Sequence, residues 1–153
     1  MSGDLVPEIV STNLSEKTGV AKTPVEDGVV LEPGSGVRGD AHAGRNPVRQ
    51  VSLLAIESIE RMKAAGAAVA PGAFGENLTT RGVNLPALPI GTLMRCGETL
   101  LRVTKIGKTC HTRCAIFEQV GDCVMPREGI FVSVESGGRI RPGDEIQILE
   151  ETG

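Results

Sequence analysis

Glycine and proline constrain this chain more than any other feature of its sequence. There are 20 glycines and 9 prolines among 153 residues, well above the ~12% that the two residues contribute on average. Glycine permits backbone conformations that other residues avoid, and proline fixes φ, so both concentrate in turns. The chain is therefore expected to fold into many short elements separated by turns.

The pattern between these turns indicates strands and one helix in a single domain, the size of which suits 153 residues. Ala55, Ile59 and Met62 fall on one helical face, which predicts a helix near residues 55–65, with Glu57 and Arg61 as an i, i+4 pair. Short strands at fairly even spacing are typical of a small β-barrel or sandwich. Strand-like runs cover residues 28–32, 49–54, 92–96, 99–105, 129–134 and 144–149.

Composition excludes several classes of function. A net charge of −3 and three phenylalanines as the only aromatic residues give no support for nucleic-acid binding. No apolar run approaches the ~20 residues of a membrane helix. The first residues lack the basic and apolar regions of a secretory signal, so a cytoplasmic location is expected.

Four cysteines lie in the second half of the chain, at positions 96, 110, 114 and 123. The cytoplasm is reducing, which disfavours disulfides and leaves metal binding, thiol chemistry and core packing. Cys96 lies in a strand-like run and is expected to be a packing residue. The pattern around Cys123 does not indicate a role for it.

The segment from Lys105 to Cys114 concentrates chemically active side chains. It holds two thiols and an imidazole together with the cations Lys105, Lys108 and Arg113. Cations stabilise a thiolate and so lower a thiol pKa, and they can also bind phosphate. A reactive thiol, an inert structural cluster and a zinc site therefore compete as interpretations; the zinc ligands would be Cys110, His111, Cys114 and Cys123.

Two glycine-rich polar loops accompany the cysteine segment. Residues 39–44 carry Asp40 and His42, and residues 71–80 include Asn77. Each loop alone has a simple structural explanation, as a surface histidine or as a capped turn. Closure of a small sheet would cluster the loops at one end, where a site could form.

Taken in order, these segments resemble the MOSC domain, named after the C-terminal domain of molybdenum cofactor sulfurases. The ordered series carries the resemblance, which covers about residues 28–150 and is of the stand-alone bacterial type. Residues 1–27 then form an N-terminal segment that is either part of the barrel or loosely ordered. The matching segments are 39–44, 49–53, 71–78, 90–92, 110–114, 129–132 and 142–144.

The resemblance implies a mainly β fold with some α: a small closed β-barrel, as in the pyruvate kinase β-barrel domain, with one or two peripheral helices. It implies a molybdenum cofactor-associated module that binds molybdopterin or molybdenum, or that carries sulfur as a cysteine persulfide. The pyridoxal-phosphate-dependent desulfurase domain of sulfurases needs far more residues than this chain has. A cysteine desulfurase or a molybdoenzyme is therefore the expected partner. An alternative is a molybdenum-dependent reductase of N-hydroxylated compounds that takes electrons from a partner.

The resemblance also implies a key cysteine. Larger relatives carry an Arg-Cys pair before apolar residues, similar to Arg113-Cys114-Ala115-Ile116, which favours Cys114 as the reactive thiol or molybdenum ligand. Cys110 is then the resolving thiol or second ligand, although it can also be aligned with the Pro-Cys of other stand-alone members. The implied cofactor-binding residues are Asp40, His42, Arg49, Asn77, Lys105, Lys108, His111 and Arg113.

Overall fold

The structure, a computed structural model, describes residues 6–16, 22–41, 43–44, 50–107 and 128–151. Within these ranges the chain is mainly β, with eleven strands, one α-helix and one 3₁₀ turn. The elements in chain order are β1 (Glu8–Leu14), β2 (Thr23–Pro24), β3 (Val29–Glu32), β4 (Gly36–Val37), β5 (Val51–Ala55), α1 (Ile56–Ala64), β6 (Leu78–Arg81), the 3₁₀ turn (Leu85–Ala87), β7 (Thr92–Cys96), β8 (Thr99–Ile106), β9 (Ile130–Ser136), β10 (Gly138–Ile140) and β11 (Ile146–Glu151).

The strands form two sheets. The larger has the order β11-β7-β8-β9-β5-β6-β1-β2, and the smaller has the order β10-β3-β4. Neighbouring strands are antiparallel except β5 and β6, which run parallel because α1 follows β5 and returns the chain. The carboxyl ends of β5 and β6 therefore lie at the same edge of the sheet.

The closed β-barrel predicted above is not confirmed. The larger sheet has β11 at one edge and β2 at the other. Between β1 and the start of β11 there is an isolated bridge from Glu8 to Glu145, flanked by three backbone hydrogen bonds of 2.7–2.8 Å. Closing a barrel requires a continuous ladder of hydrogen bonds between the first and last strands. The contact between β1 and the start of β11 is too short to form such a ladder.

The core has two parts on opposite faces of the larger sheet. The main cluster gathers residues that alternate along the strands, such as Val51 and Leu53 of β5. The second cluster lies under α1, where Ile59 and Met62 pack with Leu54 and Phe131. Ile59 and Met62 of the predicted helical stripe are thus on the buried face of α1, whereas Ala55 is the last residue of β5 and belongs to the main cluster. Among the helices described here, none is long and apolar enough to cross a membrane.

The segment before residue 28 contributes β1 and β2 to the larger sheet. β1 has three apolar residues among seven, but its buried side chains include the polar residues Ser11, Thr12 and Asn13. Thr12 and Asn13 form hydrogen bonds to other parts of the chain, and Ser11 donates to Asn13 within the strand; these bonds offset the cost of removing the side chains from water. A strand with polar residues on its buried side lacks the alternation by which strands are recognised in a sequence.

Candidate functional site

Asp40, from the first glycine-rich loop, lies in a buried ion pair with Lys22. The Nζ of Lys22 is 2.8 Å from Oδ1 and 3.1 Å from Oδ2 of Asp40, and both side chains are 1% exposed. The backbone N–H of Ser15 also donates to Oδ1, at 3.0 Å. Breaking such a pair leaves an uncompensated buried charge, at a cost of about 3–5 kcal/mol. The pair therefore holds this loop against the segment that follows β1.

Asn77, from the second glycine-rich loop, joins β5 to β1. Its Oδ1 accepts hydrogen bonds from the backbone N–H and the hydroxyl of Ser52, at 3.1 and 3.2 Å. Its Nδ2 donates to the carbonyl of Asn13 at 3.3 Å. The Asn77 side chain is buried, so these bonds satisfy polar groups that water cannot reach. They continue the pairing between strands just before β6 begins.

Glu76 lies next to Asn77 and is fully buried. Its Oε2 accepts hydrogen bonds from the backbone N–H of Gly72 at 2.9 Å and from the hydroxyl of Thr79 at 2.8 Å. Its Oε1 has no hydrogen-bond partner in the part of the chain that the structure describes. Burial raises the pKa of the Glu76 carboxyl above its usual range, because desolvation outweighs the hydrogen bonds that favour the charged form.

Gly72 brings the two loops together. Its φ is +90°, and its carbonyl accepts the backbone N–H of Lys22 at 2.8 Å. A Cβ at this position would lie 2.2 Å from the carbonyl oxygen of Lys22. Only glycine permits both this φ and this close approach. The expected clustering of the loops is observed, and Lys22 is the residue around which they meet. We call this buried polar cluster the loop network; its members are Asn13, Lys22, Asp40, Ser52, Gly72, Glu76, Asn77 and Thr79.

Lys105 lies on β8, near the base of the cysteine segment. It pairs with Phe131 of β9, which in turn pairs with Ser52 of β5. Lys105 and Ser52 therefore share one row of the sheet and lie about 10 Å apart, at two interstrand spacings. The Lys105 side chain is half-buried. Among the predicted cations that fall in the described ranges, Lys105 is the one that lies beside the loop network.

The other predicted site residues lie outside the described ranges, and their roles stay predictions. The base of the cysteine segment is nevertheless defined, because the backbone N–H of Gly107 donates to the carbonyl of Gly129 at 2.6 Å. This bond places the start and the return of the segment side by side, at the end of β8 and the beginning of β9. The predicted residues that lie outside the described ranges are His42, Arg49, Lys108, Cys110, His111, Arg113, Cys114 and Cys123.

Cys96 is a packing residue, as predicted. It is fully buried on β7 within the main core cluster. Burial, with a smaller contribution from the negative charge of Asp144, raises the pKa of its thiol to about 12. A thiol with this pKa stays protonated and unreactive. In the described ranges no three histidine, cysteine, aspartate or glutamate side chains are placed to hold a metal ion; the zinc alternative falls on residues outside them.

The sequence interpretation missed Lys22, Glu76, Ser52 and Asn13 as members of the loop network. Lys22 and Asn13 fall in the weakly patterned N-terminal segment, where no periodicity marks them. Glu76 offered a signal, since it is an ionisable residue between glycine and an apolar strand start, next to the predicted Asn77. The predicted pair of Glu57 and Arg61 is not formed; Arg61 pairs with Glu128, and Glu57 accepts the backbone N–H of Gly82.

Comparison with known proteins gives one family. The family model of the MOSC domain matches residues 39–147, a range that includes both glycine-rich loops and the cysteine segment. None of the curated proteins matches the sequence.

Solved structures share the fold at low sequence identity. The YuaD protein of Bacillus subtilis is 18% identical with a TM-score of 0.77, and the match covers 94% of this chain and 96% of that one. YiiM of Geobacillus stearothermophilus is 22% identical with a TM-score of 0.71, covering 94% and 75%. YiiM of Escherichia coli is 20% identical with a TM-score of 0.67, covering 97% and 72%.

Proposed function

Because this chain belongs to the MOSC domain family, which is linked to molybdenum cofactor-related functions, we propose that it carries sulfur as a persulfide on Cys114. A cysteine desulfurase is the sulfur donor in this proposal, and a molybdoenzyme or its cofactor is the acceptor. Cys110 acts as the resolving thiol. Lys105, Lys108 and Arg113 supply the positive charge that keeps the thiolate available.

The reach of the chain from Gly107 supports Cys114 over Cys110. Lys105 precedes Gly107 by two residues along β8, and Ser52 lies in the same row of the sheet as Lys105. In the order of the sheet, β6 is three strands away from β8. These spacings put Asn77 about 16 Å from Gly107. An extended chain spans at most ~3.3 Å per residue, so Cys110 reaches about 10 Å and Cys114 about 23 Å. Cys114 can therefore reach Asn77, whereas Cys110 can reach only the nearer members of the loop network, such as Ser52.

Loading of the sulfur involves no net oxidation, whereas its release reduces the sulfane sulfur and oxidises the two cysteines to a disulfide. The Cys114 thiolate attacks the outer sulfur of the donor's persulfide, a new S–S bond forms, and the donor cysteine leaves as a thiolate. For release, the Cys110 thiolate attacks the Sγ of Cys114. The outer sulfur then leaves as hydrosulfide with one proton, and a Cys110–Cys114 disulfide remains. A dithiol reductant returns both residues to thiols.

Binding of molybdopterin is the second form of the proposal. Cys114 would ligate molybdenum, and Lys105, Lys108 and Arg113 would hold phosphate or oxo groups. The described residues fit this form less well. The oxygens of Asp40 and the amide of Asn77 already bond to protein groups, so these residues would position the loops rather than contact the cofactor. Bound cofactor would supply the redox chemistry of molybdenum.

Persulfide loading tests the proposal. The full chain is incubated with a cysteine desulfurase and cysteine, and its intact mass is then measured with and without a reductant. We expect wild type to gain the mass of one sulfur atom and to lose it on reduction. Cys114→Ser should not load, whereas Cys110→Ser should load and release its sulfur more slowly. Cys96→Ala is the matched control, since that thiol is buried, and it should load like wild type.

Each alternative predicts a different result. Full loading of Cys114→Ser with none on Cys110→Ser would overturn the assignment of the thiols. Elemental analysis that finds stoichiometric molybdenum with pterin, and no loading, would replace the sulfur carrier with the cofactor-binding form. Turnover of an N-hydroxylated compound with an added reductase would then identify a reductase. Stoichiometric zinc would favour a structural interaction domain.

A further inference from the structure

A cavity of about 420 Å³ lies beyond the carboxyl ends of the two parallel strands. Ala55 ends β5 on one side, and Gly82 directly follows β6 on the other. α1 forms one wall of the cavity, and residues 82–86 form the opposite wall. Ligands often bind in crevices outside the carboxyl ends of parallel strands, and this volume suits a small molecule. The loop network lies at the other end of the same strands, so this cavity is a separate site.

Within the described ranges, two carboxylates in the cavity are each held by hydrogen bonds to one oxygen only. Glu57 Oε2 accepts the backbone N–H of Gly82 at 3.0 Å. Glu128 Oε1 accepts the hydroxyl of Ser58 at 2.5 Å and also the guanidinium of Arg61. Among the described residues, Oε1 of Glu57 and Oε2 of Glu128 have no hydrogen-bond partner. The cavity therefore offers two fixed acceptors to a ligand.

The charge of the lining favours a cation. Glu57 and Glu128 carry two negative charges against the single positive charge of Arg61. Arg61 bonds to Glu128 and Ser58 through Nη2, so an anion would meet two carboxylates and one guanidinium that is already paired. A cationic N–H donor would instead pair with the unused carboxylate oxygens, and hydrogen bonds between charged groups are the strong ones. The remaining side chains of the lining are largely apolar and suit a flat hydrocarbon body; they include Ala55, Val83, Leu85 and Pro86.

A buried hydroxyl lies in the strand pair next to the cavity, although it does not line the cavity itself. Thr80 pairs in register with Ala55, which lines the cavity, so the two side chains lie on the same face of the strand pair. Thr80 is fully buried, and its Oγ1 has no hydrogen-bond partner in the described part of the chain. A buried polar group without a partner is costly, and a site usually explains it. This unmet hydrogen bond lies on the strand pair whose carboxyl ends border the cavity.

We propose that the cavity binds a small aromatic cation of the amidinium or guanidinium class. The flat ring would contact the apolar lining, and the two-pronged N–H donor would bond to Glu57 and Glu128. An amidinium carries N–H donors on both nitrogens, so it can donate one charge-assisted hydrogen bond to each carboxylate. The site goes beyond the proposed sulfur transfer and does not depend on it.

Benzamidine is the probe, and benzamide, which has the same shape without the charge, is its matched control. Each is titrated into the full chain by calorimetry and by amide chemical-shift mapping. We expect saturable benzamidine binding with shifts in α1 and residues 82–86, and benzamide binding at least about tenfold weaker. Glu57→Gln should weaken benzamidine about tenfold, because it keeps an acceptor for Gly82 and removes the charge. Glu60→Gln, on the same helix but outside the cavity, should have no effect.

Equal affinity for benzamide and benzamidine would overturn the proposal, and so would equal effects of Glu57→Gln and Glu60→Gln. Shifts confined to the loop network would also overturn it. Cys114→Ser should bind benzamidine like wild type. A failure of persulfide loading therefore leaves this test intact, and a failure of benzamidine binding does not affect the proposed function.

Discussion

The two ends of the parallel pair β5 and β6 use the same interaction in opposite ways. At the loop network, Glu76 accepts the backbone N–H of Gly72 at 2.9 Å. At the cavity, Glu57 accepts the backbone N–H of Gly82 at 3.0 Å. Glu76 is fully buried, whereas Glu57 is exposed. The hydrogen bonds are alike, so burial makes the difference between the two glutamates.

Burial changes what each carboxylate contributes. Desolvation at the loop network disfavours the charge of Glu76, which therefore acts mainly as a hydrogen-bond acceptor that fixes a loop. Glu57 is exposed to water, so its charge carries no desolvation penalty and is available to a ligand. One end of the strand pair is thus a rigid support, and the other is an open site. Substitutions at the two ends should differ accordingly in their effect on stability.

Gly72→Ala should have the largest effect on stability. The new Cβ would lie 2.2 Å from the carbonyl oxygen of Lys22, and alanine disfavours a φ of +90°. Overpacking and backbone strain together predict a loss of about 3 kcal/mol or more in the free energy of unfolding. Urea denaturation measures the loss.

Gly75→Ala is the matched control for this prediction. Gly75 lies in the same loop with φ +82°, and a Cβ added there would meet no atom within 4 Å. Only backbone strain remains at this position, about 1–2 kcal/mol. If both variants lose the same stability, the close approach of Lys22 to Gly72 is not a constraint, and the loop network is less rigid than its hydrogen bonds suggest.

Much of the strand content was predictable from local pattern. The predicted run 92–96 is β7, the run 99–105 lies within β8, and residues 55–65 contain α1. These elements bury apolar residues at regular spacing, so their period is visible in the sequence. β1 and β6 were not predicted, because their buried positions hold polar residues such as Thr12 and Thr79. Such strands depend on hydrogen-bond partners that are distant in sequence.

Some residues of the loop network could be predicted from the sequence, but their arrangement could not. Asp40 and Asn77 stood out beside glycines, and both lie in the loop network. Their partners, Lys22 and Asn13, are 18 and 64 residues away in the chain. No local pattern reports contacts over such separations, since they are set by the order of strands in the sheet. The cavity was not predictable for the same reason, because its walls meet only after β5 and β6 pair.

Glu76→Gln should change the pH dependence of stability. The pKa of Glu76 is raised in the folded state, so the folded protein holds this proton more tightly than the unfolded chain does. Wild type should therefore lose stability as pH rises from about 4.5 through the raised folded pKa. Within this window the contribution of Glu76 approaches 1.4 kcal/mol per pH unit, by the general linkage relation.

The measurement is the difference between wild type and Glu76→Gln in urea denaturation at several pH values. Glutamine keeps an oxygen for Gly72 and Thr79 and cannot ionise, so the pH-dependent loss should disappear from the variant. A difference between wild type and Glu76→Gln that stays constant over pH 4–8 would show that Glu76 does not gain a proton on folding.

Arg61→Met should have the smallest effect on stability and a measurable effect on binding. The Arg61 side chain is 65% exposed in its pair with Glu128, and exposed pairs contribute at most about 1 kcal/mol. Its removal leaves two carboxylates in the cavity with no guanidinium, so benzamidine should bind a few times more tightly. Urea denaturation and calorimetry measure the two effects on one sample. A loss of stability as large as that of Gly72→Ala would mean that the cavity end of the strand pair is also a rigid support. Weaker binding of benzamidine to Arg61→Met would contradict the role of charge in the cavity.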